Sequence, residues 1–150
     1  GLNNTDKAIC NFVDKEGNYI GRHKGIIHYT IGQRRGLGIP AASRLYVCEI
    51  SPKTNTVVLG DNADLFSSEL EADSVNLISV DSLAEPKRVT AKIRYRHKEQ
   101  PATAWQTPDG ILHVKFDEPQ RAITKGQAVV MYDGDEVVGG GVINKIYNQS

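Results

Sequence analysis

The sequence predicts a mostly β protein made of two small domains. Three observations support this: turn residues recur about every ten positions, short runs of alternating apolar and polar residues lie between them, and only one segment has helical spacing. The chain has 150 residues, 39% of them hydrophobic, with 14 glycines and 6 prolines. This is an ordinary composition for a globular protein and excludes a low-complexity or disordered chain.

Turn residues between apolar runs predict three hairpins. Strands are expected at 11–13 and 19–20, at 45–50 and 56–59, and at 128–132 and 136–138. A further strand at 111–116 follows the turn 107–110. Residues 61–72 form the only predicted helix, because Asp61 is a suitable N-cap and Leu65, Phe66 and Leu70 lie near helical spacing.

An acidic, polar stretch at 79–85, closed by Pro86, is the predicted linker. It divides the chain into a central β-rich domain with one short helix, residues 1–82, and a C-terminal β-barrel, residues 83–150. Three glycines at 139–141, between two valines, predict a sharp corner of the barrel. A β-bulge or a close backbone contact are the alternatives.

Basic and acidic residues are equal in number, 18 of each, but they are unevenly distributed. Residues 54–86 contain seven acidic residues and no Lys or Arg, whereas residues 87–98 contain six basic residues and no acid. The zero net charge does not by itself predict a polyanion partner. The asymmetry indicates one face directed toward a polyanion and another held away from it, and ordinary solvated surface charge is the alternative.

The segment 89–98 is predicted to be a long strand with one basic face. Its odd positions, Val89 to Tyr95, share one face, and the bases share the other: Arg88, Lys92, Arg94, Arg96 and Lys98. A row of cations on a rigid strand suits a phosphate backbone, and an exposed Tyr95 could stack on an unpaired base. The alternative is that Tyr95 belongs to the core and the basic face is only solvated.

A second basic element is the glycine-rich loop 32–38, which contains Gln33, Arg34 and Arg35. Its glycines allow backbone N–H groups to approach a ligand, and its side chains offer donors to phosphates and base edges. The loop has neither the Gly-Lys-Ser/Thr of a phosphate loop nor the βαβ context of a dinucleotide fingerprint. A tight turn with solvated arginines is therefore an equal alternative.

No metal or nucleophile site is predicted from residue spacing. The four histidines lack metal-ligand spacing, and Cys10 and Cys48 do not form a CxxC pair. Two cysteines without paired spacing do not indicate a disulfide framework and favour a reducing cytoplasm. No apolar run approaches the ~18 residues of a membrane span. The chain begins without Met or an apolar signal segment, which suggests a piece of a longer chain.

Several motifs, occurring in one order along the chain, resemble a known family. Residues 21–39 resemble the GxHxG…YTIGQRxGLGI signature of the tRNA-specific 2-thiouridylases. Further matches are the LYV hairpin at 45–58, the KIRYR strand at 93–96, and C-terminal motifs at 116–119, 124–129 and 139–143. The resemblance covers about residues 11–146. It departs at Lys125 and His28, where the family usually has proline and an aromatic residue.

The resemblance implies a central domain and an antiparallel β-barrel of the translation-factor type. These would form the C-terminal part of an ATP-dependent sulfurtransferase. In such an enzyme ATP adenylates the C2 oxygen of the wobble uridine in a tRNA anticodon, and a persulfide sulfur replaces that oxygen. The family's ATP-pyrophosphatase domain, with its SGGxDS loop, is not found in these 150 residues. No cofactor is therefore expected in this chain, and the chain alone is expected to be inactive.

The resemblance also assigns residues and partners. By position it places tRNA contacts at Arg94, Tyr95 and Gln127, and by signature and chemistry it adds Gln33, Arg34 and Arg35. No catalytic residue is expected, because Cys10, the only candidate, lies too close to residues 12–14 to match the family's second catalytic cysteine. The expected partners are the tRNA anticodon region and a persulfide donor protein. The alternative function is a stand-alone, non-catalytic β-barrel module that binds RNA or protein.

Overall fold

A computed structural model describes residues 11–22, 25, 29–34, 37–38 and 45–147. Strands account for 57% of these residues, which confirms the mostly β prediction. The chain divides into two compact units, one ending at Leu65 and the other beginning at Phe66. The predicted boundary at residue 82 therefore lies inside the second unit.

The first unit contains a four-stranded sheet built from two hairpins. Its strands are β1 (Asn11–Val13), β2 (Tyr19–Arg22), β3 (Tyr46–Ser51) and β4 (Thr56–Gly60), in the order β2-β1-β4-β3. Both hairpins are at the predicted positions, and β1 joins them by pairing in parallel with β4. Phe12, Val47 and Val57 are fully buried, and the ring of Tyr29 packs edge-on against Phe12.

The predicted helix at 61–72 is wrong. Only a single 3-10 turn forms, at Asn62–Leu65, and the chain then enters the 12-residue strand β5 (Phe66–Leu77). The pairing register of β5 shifts between Ser67 and Glu69, so its buried residues fall at Ser67, Leu70 and Ala72. The apolar residues that predicted the helix thus have two origins: Leu65 ends the 3-10 turn, whereas Phe66 and Leu70 lie on either side of the β-bulge in β5.

The second unit is a closed antiparallel barrel of six strands, which confirms the predicted antiparallel β-barrel. After β5 come β6 (Lys87–Lys92), β7 (Gln100–Gln106), β8 (Leu112–Arg121), β9 (Ala128–Asp133) and β10 (Glu136–Tyr147). Their order around the barrel is β10-β5-β8-β7-β6-β9. The interior is filled by apolar side chains that alternate along the strands, among them Leu112, Val114, Val129 and Met131, all fully buried.

The long strand predicted at 89–98 is too long by six residues. β6 ends at Lys92, and residues 93–99 form a loop that connects it to β7. Val89, Ala91 and Ile93 are buried, as the alternation predicts. Tyr95, however, is 91% exposed, so the alternative that placed it in the core is wrong.

The glycines at 139–141 allow β10 to lie close to both of its neighbours. A Cβ atom on Gly140 would lie 2.2 Å from the Val129 carbonyl oxygen, and one on Gly141 would lie 2.7 Å from that of Asp73. The register of β10 shifts on both sides of this run. The glycines thus combine the two alternatives to the predicted corner, a bulge and a close backbone approach.

Candidate nucleic-acid interface

Two loops lie together at one end of the barrel. β6 pairs antiparallel with β7 and β9, and β7 pairs antiparallel with β8. The end of β6, the start of β7, the end of β8 and the start of β9 are therefore at the same end. We call residues 92–99 and 121–127 the basic end.

The two ends of the barrel carry opposite charge. The basic end has six basic residues and one acid: Lys92, Arg94, Arg96, Lys98, Arg121 and Lys125, with Glu99. Residues 78–86, 107–111 and 133–136 form the connections at the opposite end, where six acids occur: Asp81, Glu85, Asp109, Asp133, Asp135 and Glu136. One base, Lys87 at the start of β6, lies at the same end and forms an ion pair with Asp133 at 3.0 Å. Of the charged runs seen in the sequence, four of the six bases of 87–98 thus lie at the basic end, whereas of the seven acids of 54–86 only Asp81 and Glu85 lie in the connections at the opposite end.

Arg94 is held inside the basic end instead of projecting from a strand. Its Nη2 donates hydrogen bonds to the carbonyl oxygens of Arg121, at 2.9 Å, and of Ala122. Ala122 is buried and has a φ of 58°, a left-handed conformation that is uncommon for a residue with a Cβ. The Thr124 hydroxyl donates to the same Ala122 oxygen. Arg94 therefore ties the 93–99 loop to the end of β8.

The surroundings of Arg94 disfavour the charged form of its guanidinium. Burial is the main cause that lowers the pKa of its guanidinium, and the neighbouring Arg121 charge lowers it further. The Arg94 guanidinium is thus held at a desolvation cost, to which the like charge of Arg121 adds.

Tyr95 and Arg96 occupy the tip of a β-turn. The backbone N–H of His97 donates to the Arg94 carbonyl at 3.1 Å and closes this turn. Tyr95 and Arg96 are the two central residues and both are exposed. The Tyr95 ring is therefore presented to solvent on a turn that the Arg94 side chain anchors.

Gln127 lies at the basic end, on the β8–β9 connection. Its carbonyl oxygen accepts a hydrogen bond from the Ile143 N–H at 2.9 Å, and Gly126 N–H donates to Ile143 at 2.8 Å. The backbone is thus fixed against β10 while Gln127 and Lys125 remain exposed. The structure therefore brings Gln127 to the same end as Arg94 and Tyr95.

Two of the bases predicted to line a strand face have other contacts. Arg88 forms a bidentate ion pair with Asp117, at 2.7 and 2.6 Å, and also donates to Thr103. This pair raises the pKa of Arg88 and lowers that of Asp117. The Lys92 ammonium lies 5.9 Å from the centre of the Tyr132 ring. The continuous row of cations predicted for this strand is therefore not present.

The residues of the first unit that were predicted to contact tRNA form contacts within that unit. The Gln33 side-chain oxygen accepts from the Thr30 N–H at 3.1 Å, and its carbonyl accepts from Val47 at 2.8 Å, so Gln33 helps to close a turn against β3. Arg34 is exposed, with its guanidinium 5.8 Å from the centre of the Tyr46 ring. Arg35 and Cys10 lie outside the described residues.

The described ranges bring together no group of three His, Cys, Asp or Glu side chains that could hold a metal ion. In the same ranges, no helix has the length and apolar character needed to cross a bilayer. Cys48 is half-buried, and its thiol donates to the Tyr46 carbonyl oxygen at 3.5 Å.

Sequence reasoning missed the contribution of the β8 end to the basic end. Arg121 and Lys125 were not predicted as site residues, because they are separated from the 92–98 run by more than twenty positions and have no basic neighbours. The chain reverses between β6 and β7 and again between β7 and β8, which brings the ends of β6 and β8 together. The excess of bases over acids within 121–127 was the only local signal.

The fold and the charge distribution define a class: a small β-barrel protein with one end suited to a polyanion. Residues 67–143 match the aminomethyltransferase β-barrel domain, and residues 3–61 match the tRNA methyl transferase PRC-barrel domain. The chain is 60% identical over 134 residues to tRNA-specific 2-thiouridylase MnmA of Clostridioides difficile, covering 89% of this chain and 37% of that protein. It is 56% identical to the protein of the same name from Acetivibrio thermocellus, covering 93% and 40%.

The chain belongs to the tRNA-specific 2-thiouridylase family and corresponds to its C-terminal part. It spans about two fifths of the length of the curated relatives that it matches. The two matched domains meet between residues 61 and 67, where the structure also divides.

Proposed function

We propose that this chain is the tRNA-binding part of an ATP-dependent sulfurtransferase that forms 2-thiouridine at the wobble position of tRNA anticodons. The observation that carries the proposal is the basic end of the barrel, where six basic residues surround an exposed tyrosine. The names of the relatives supply tRNA as the substrate and 2-thiouridine as the product, and the family resemblance supplies the use of ATP and the wobble position. The proposed setting is the cytoplasm, where such an enzyme meets its tRNA.

The chemistry of the basic end suits an anticodon arm. Lys and Arg side chains neutralise phosphates without reading sequence, and this gives affinity and position. An anticodon loop also offers unpaired bases, which proteins recognise by stacking them on aromatic rings. Tyr95 is 91% exposed between Arg94 and Arg96, so one short turn offers both kinds of contact.

The proposed roles of the site residues differ. Tyr95 stacks on a base, and Gln127 donates or accepts a hydrogen bond from an exposed position nearby. Arg94 supports the turn that carries Tyr95, because its Nη2 is bonded to backbone carbonyls. Gln33, Arg34 and Arg35 are proposed as a further tRNA contact of the first unit.

The chemical steps are assigned to the part of the enzyme that this chain does not match. We propose that ATP activation of the uridine and sulfur transfer from a persulfide donor protein take place there. This chain would hold the tRNA so that the wobble base can leave its stack and enter a pocket. By itself it is expected to form no 2-thiouridine.

Tyr95 tests the proposal in the full-length protein. Tyr95→Ala should weaken tRNA binding by roughly 1–3 kcal/mol, the contribution of one stacked base. Its stability should change by less than about 0.5 kcal/mol, because the side chain is exposed. Filter binding measures the affinity for tRNA, and mass spectrometry measures the 2-thiouridine that the protein forms.

Tyr95→Phe is the matched control, since it keeps the ring and should bind tRNA like the unaltered protein. Equal binding by Tyr95→Ala, combined with normal 2-thiouridine formation, would contradict the role of the basic end. Tight RNA binding without any 2-thiouridine formation by the full-length protein would favour the alternative of a non-catalytic binding module.

A further inference from the structure

A cleft of about 430 Å³ lies at the basic end, between the 93–99 loop and the end of β8. Its volume is within the ~300–1,000 Å³ range of clefts that bind small organic molecules. Ala91 and Ile93 line it and are 1% and 7% exposed, so part of its surface is apolar and buried. Among the described residues, none that lines the cleft is acidic. The cleft is therefore large and apolar enough to take a planar organic group.

Two side chains that line the cleft carry flat groups. The Arg94 guanidinium is planar and is held in place, because its Nη2 donates to the carbonyl oxygens of Arg121, at 2.9 Å, and of Ala122. His97 contributes an exposed imidazole ring. Proteins stack unpaired RNA bases on guanidinium planes and aromatic rings of this kind. Burial also lowers the pKa of Arg94, which indicates partial desolvation, and a neutral base costs less to bury there than a charged phosphate.

Two glutamine side chains also line the cleft, and each has an amide nitrogen bonded to the backbone. The Nε2 of Gln120 donates to the Glu118 carbonyl oxygen at 2.9 Å. The Nε2 of Gln100 donates to the Lys98 carbonyl oxygen at 3.4 Å. The Oε1 atom of each amide is an acceptor for a hydrogen bond from a ligand. Two such acceptors suit a base that carries an amino group, because its exocyclic N–H groups are donors.

We propose that this cleft binds one unpaired base of the RNA substrate, and that this base carries an amino group: cytosine, adenine or guanine. Gln100 and Gln120 accept hydrogen bonds from it, and the Arg94 guanidinium stacks on its face. The inference rests on the proposed tRNA-binding function and adds selection of a base to it. The base is distinct from the uridine that is modified, because uracil has no amino group. It is also distinct from a base on the exposed ring of Tyr95, which does not line the cleft.

The test compares hexacytidylate and hexauridylate as competitors of tRNA for the full-length protein at neutral pH. Cytosine and uracil have rings of the same size and should stack on Tyr95 alike, but cytosine has an amino group where uracil has a carbonyl oxygen. Hexacytidylate should therefore compete about 3- to 10-fold better, the contribution of one hydrogen bond. Gln100→Met and Gln120→Met should each reduce this ratio toward one, because methionine has a similar length and no oxygen.

Gln106→Met is the matched control. Gln106 ends β7 at the opposite end of the barrel and does not line the cleft, and its Nε2 likewise donates to a backbone carbonyl oxygen, that of Gly110, at 3.1 Å. The same substitution there should leave the ratio unchanged. Gln120→Glu keeps acceptor oxygens, so it should retain the preference for cytosine, although its negative charge weakens the binding of both oligonucleotides.

A cytosine preference that is lost in Gln100→Met and Gln120→Met but kept in Gln106→Met supports the inference. Equal competition by the two oligonucleotides, or a preference that all three methionine variants keep or all lose, would overturn the base site. The proposed function would still stand if Tyr95→Ala weakens tRNA binding. Better competition by hexauridylate would overturn the assignment of an amino-bearing base. No competition by either oligonucleotide, with tRNA binding unchanged in Tyr95→Ala, would overturn both the base site and the proposed function.

Discussion

Arg94 acts through the backbone atoms that its side chain contacts. If Arg94 were a surface residue of a strand, Arg94→Ala would change the free energy of unfolding by less than about 0.5 kcal/mol. In the structure its guanidinium instead donates to two carbonyl oxygens, those of Arg121 and of Ala122, and Ala122 has a left-handed backbone conformation. We therefore expect Arg94→Ala to lower the free energy of unfolding by about 1 kcal/mol, the net contribution of such hydrogen bonds. Urea denaturation measures this loss.

Arg96→Ala is the matched control two positions along the same loop. Arg96 is exposed at the turn tip, so its removal should change the free energy of unfolding by less than about 0.5 kcal/mol. Equal midpoints for the two variants would show that the Arg94 hydrogen bonds contribute nothing to the loop.

Tyr147 provides a prediction of pH dependence. Its hydroxyl donates to Glu71, and this hydrogen bond is the main cause that raises the pKa of Tyr147 to about 12. Because the folded state holds the phenol proton more tightly, the stabilisation is present below the ordinary value of about 10 and is lost as the pH rises through 12. In an ultraviolet titration, one tyrosine should ionise later than an ordinary tyrosine, and Tyr147→Phe should remove that step.

Glu71→Gln separates this cause from burial. Loss of the carboxylate should bring the late ionisation back toward the ordinary value, while the number of titrating tyrosines stays the same. An unchanged late step in Glu71→Gln would assign the shift to another group.

At the level of elements, the sequence predicts strands well where two apolar runs flank a cluster of turn residues. Both hairpins of the first unit and the β9–β10 hairpin are examples. β5 was missed because its bulge breaks the alternation between Ser67 and Glu69. β7 was missed because its buried residues are the small Ala102 and Ala104, which give little hydrophobic signal.

The end of β6 could not be predicted from the sequence, for a different reason. Residues 93–98 continue the alternation of β6 in sequence, but the chain leaves the sheet after Lys92. A basic loop and the outer face of a basic strand have the same composition. The pairing partner distinguishes them, and it is remote in sequence. For the same reason the basic character of the site was predictable, whereas the contact of Arg94 with the end of β8 was not.

The glycine run in β10 gives a prediction at this scale. Gly140→Ala would place a methyl group 2.2 Å from the Val129 carbonyl oxygen, and a backbone atom in a paired strand cannot move aside easily. We expect a loss of about 3 kcal/mol in the free energy of unfolding. Thermal denaturation with far-ultraviolet circular dichroism measures it.

Gly134→Ala is the comparison, on the turn before β10. That position has open space around it but a φ of 63°, so only backbone strain of about 1 kcal/mol is expected. A smaller loss at Gly140 than at Gly134 would contradict the close approach of β10 to β9.

For the whole molecule, the position of the boundary decides which segment can fold alone. The segment 66–150 contains all six barrel strands, whereas the segment 83–150 lacks β5, which pairs with both β8 and β10. We expect the longer segment to unfold cooperatively in urea and the shorter one to show no cooperative transition. Equal behaviour of the two segments would favour the boundary expected from the sequence at residue 82.

The closure of the barrel by β5 and β10 has a consequence for how the chain acquires its structure. Their contacts join Glu69 to Tyr147 and Leu77 to Gly139, so the first and last strands of the barrel meet across nearly its whole length. Contacts between such distant positions form slowly, because the intervening chain must be ordered first. Until β10 arrives, β5 and β9 each present an unpaired row of backbone donors and acceptors. The interval before the last strand docks is therefore the period in which this protein is most exposed to aggregation.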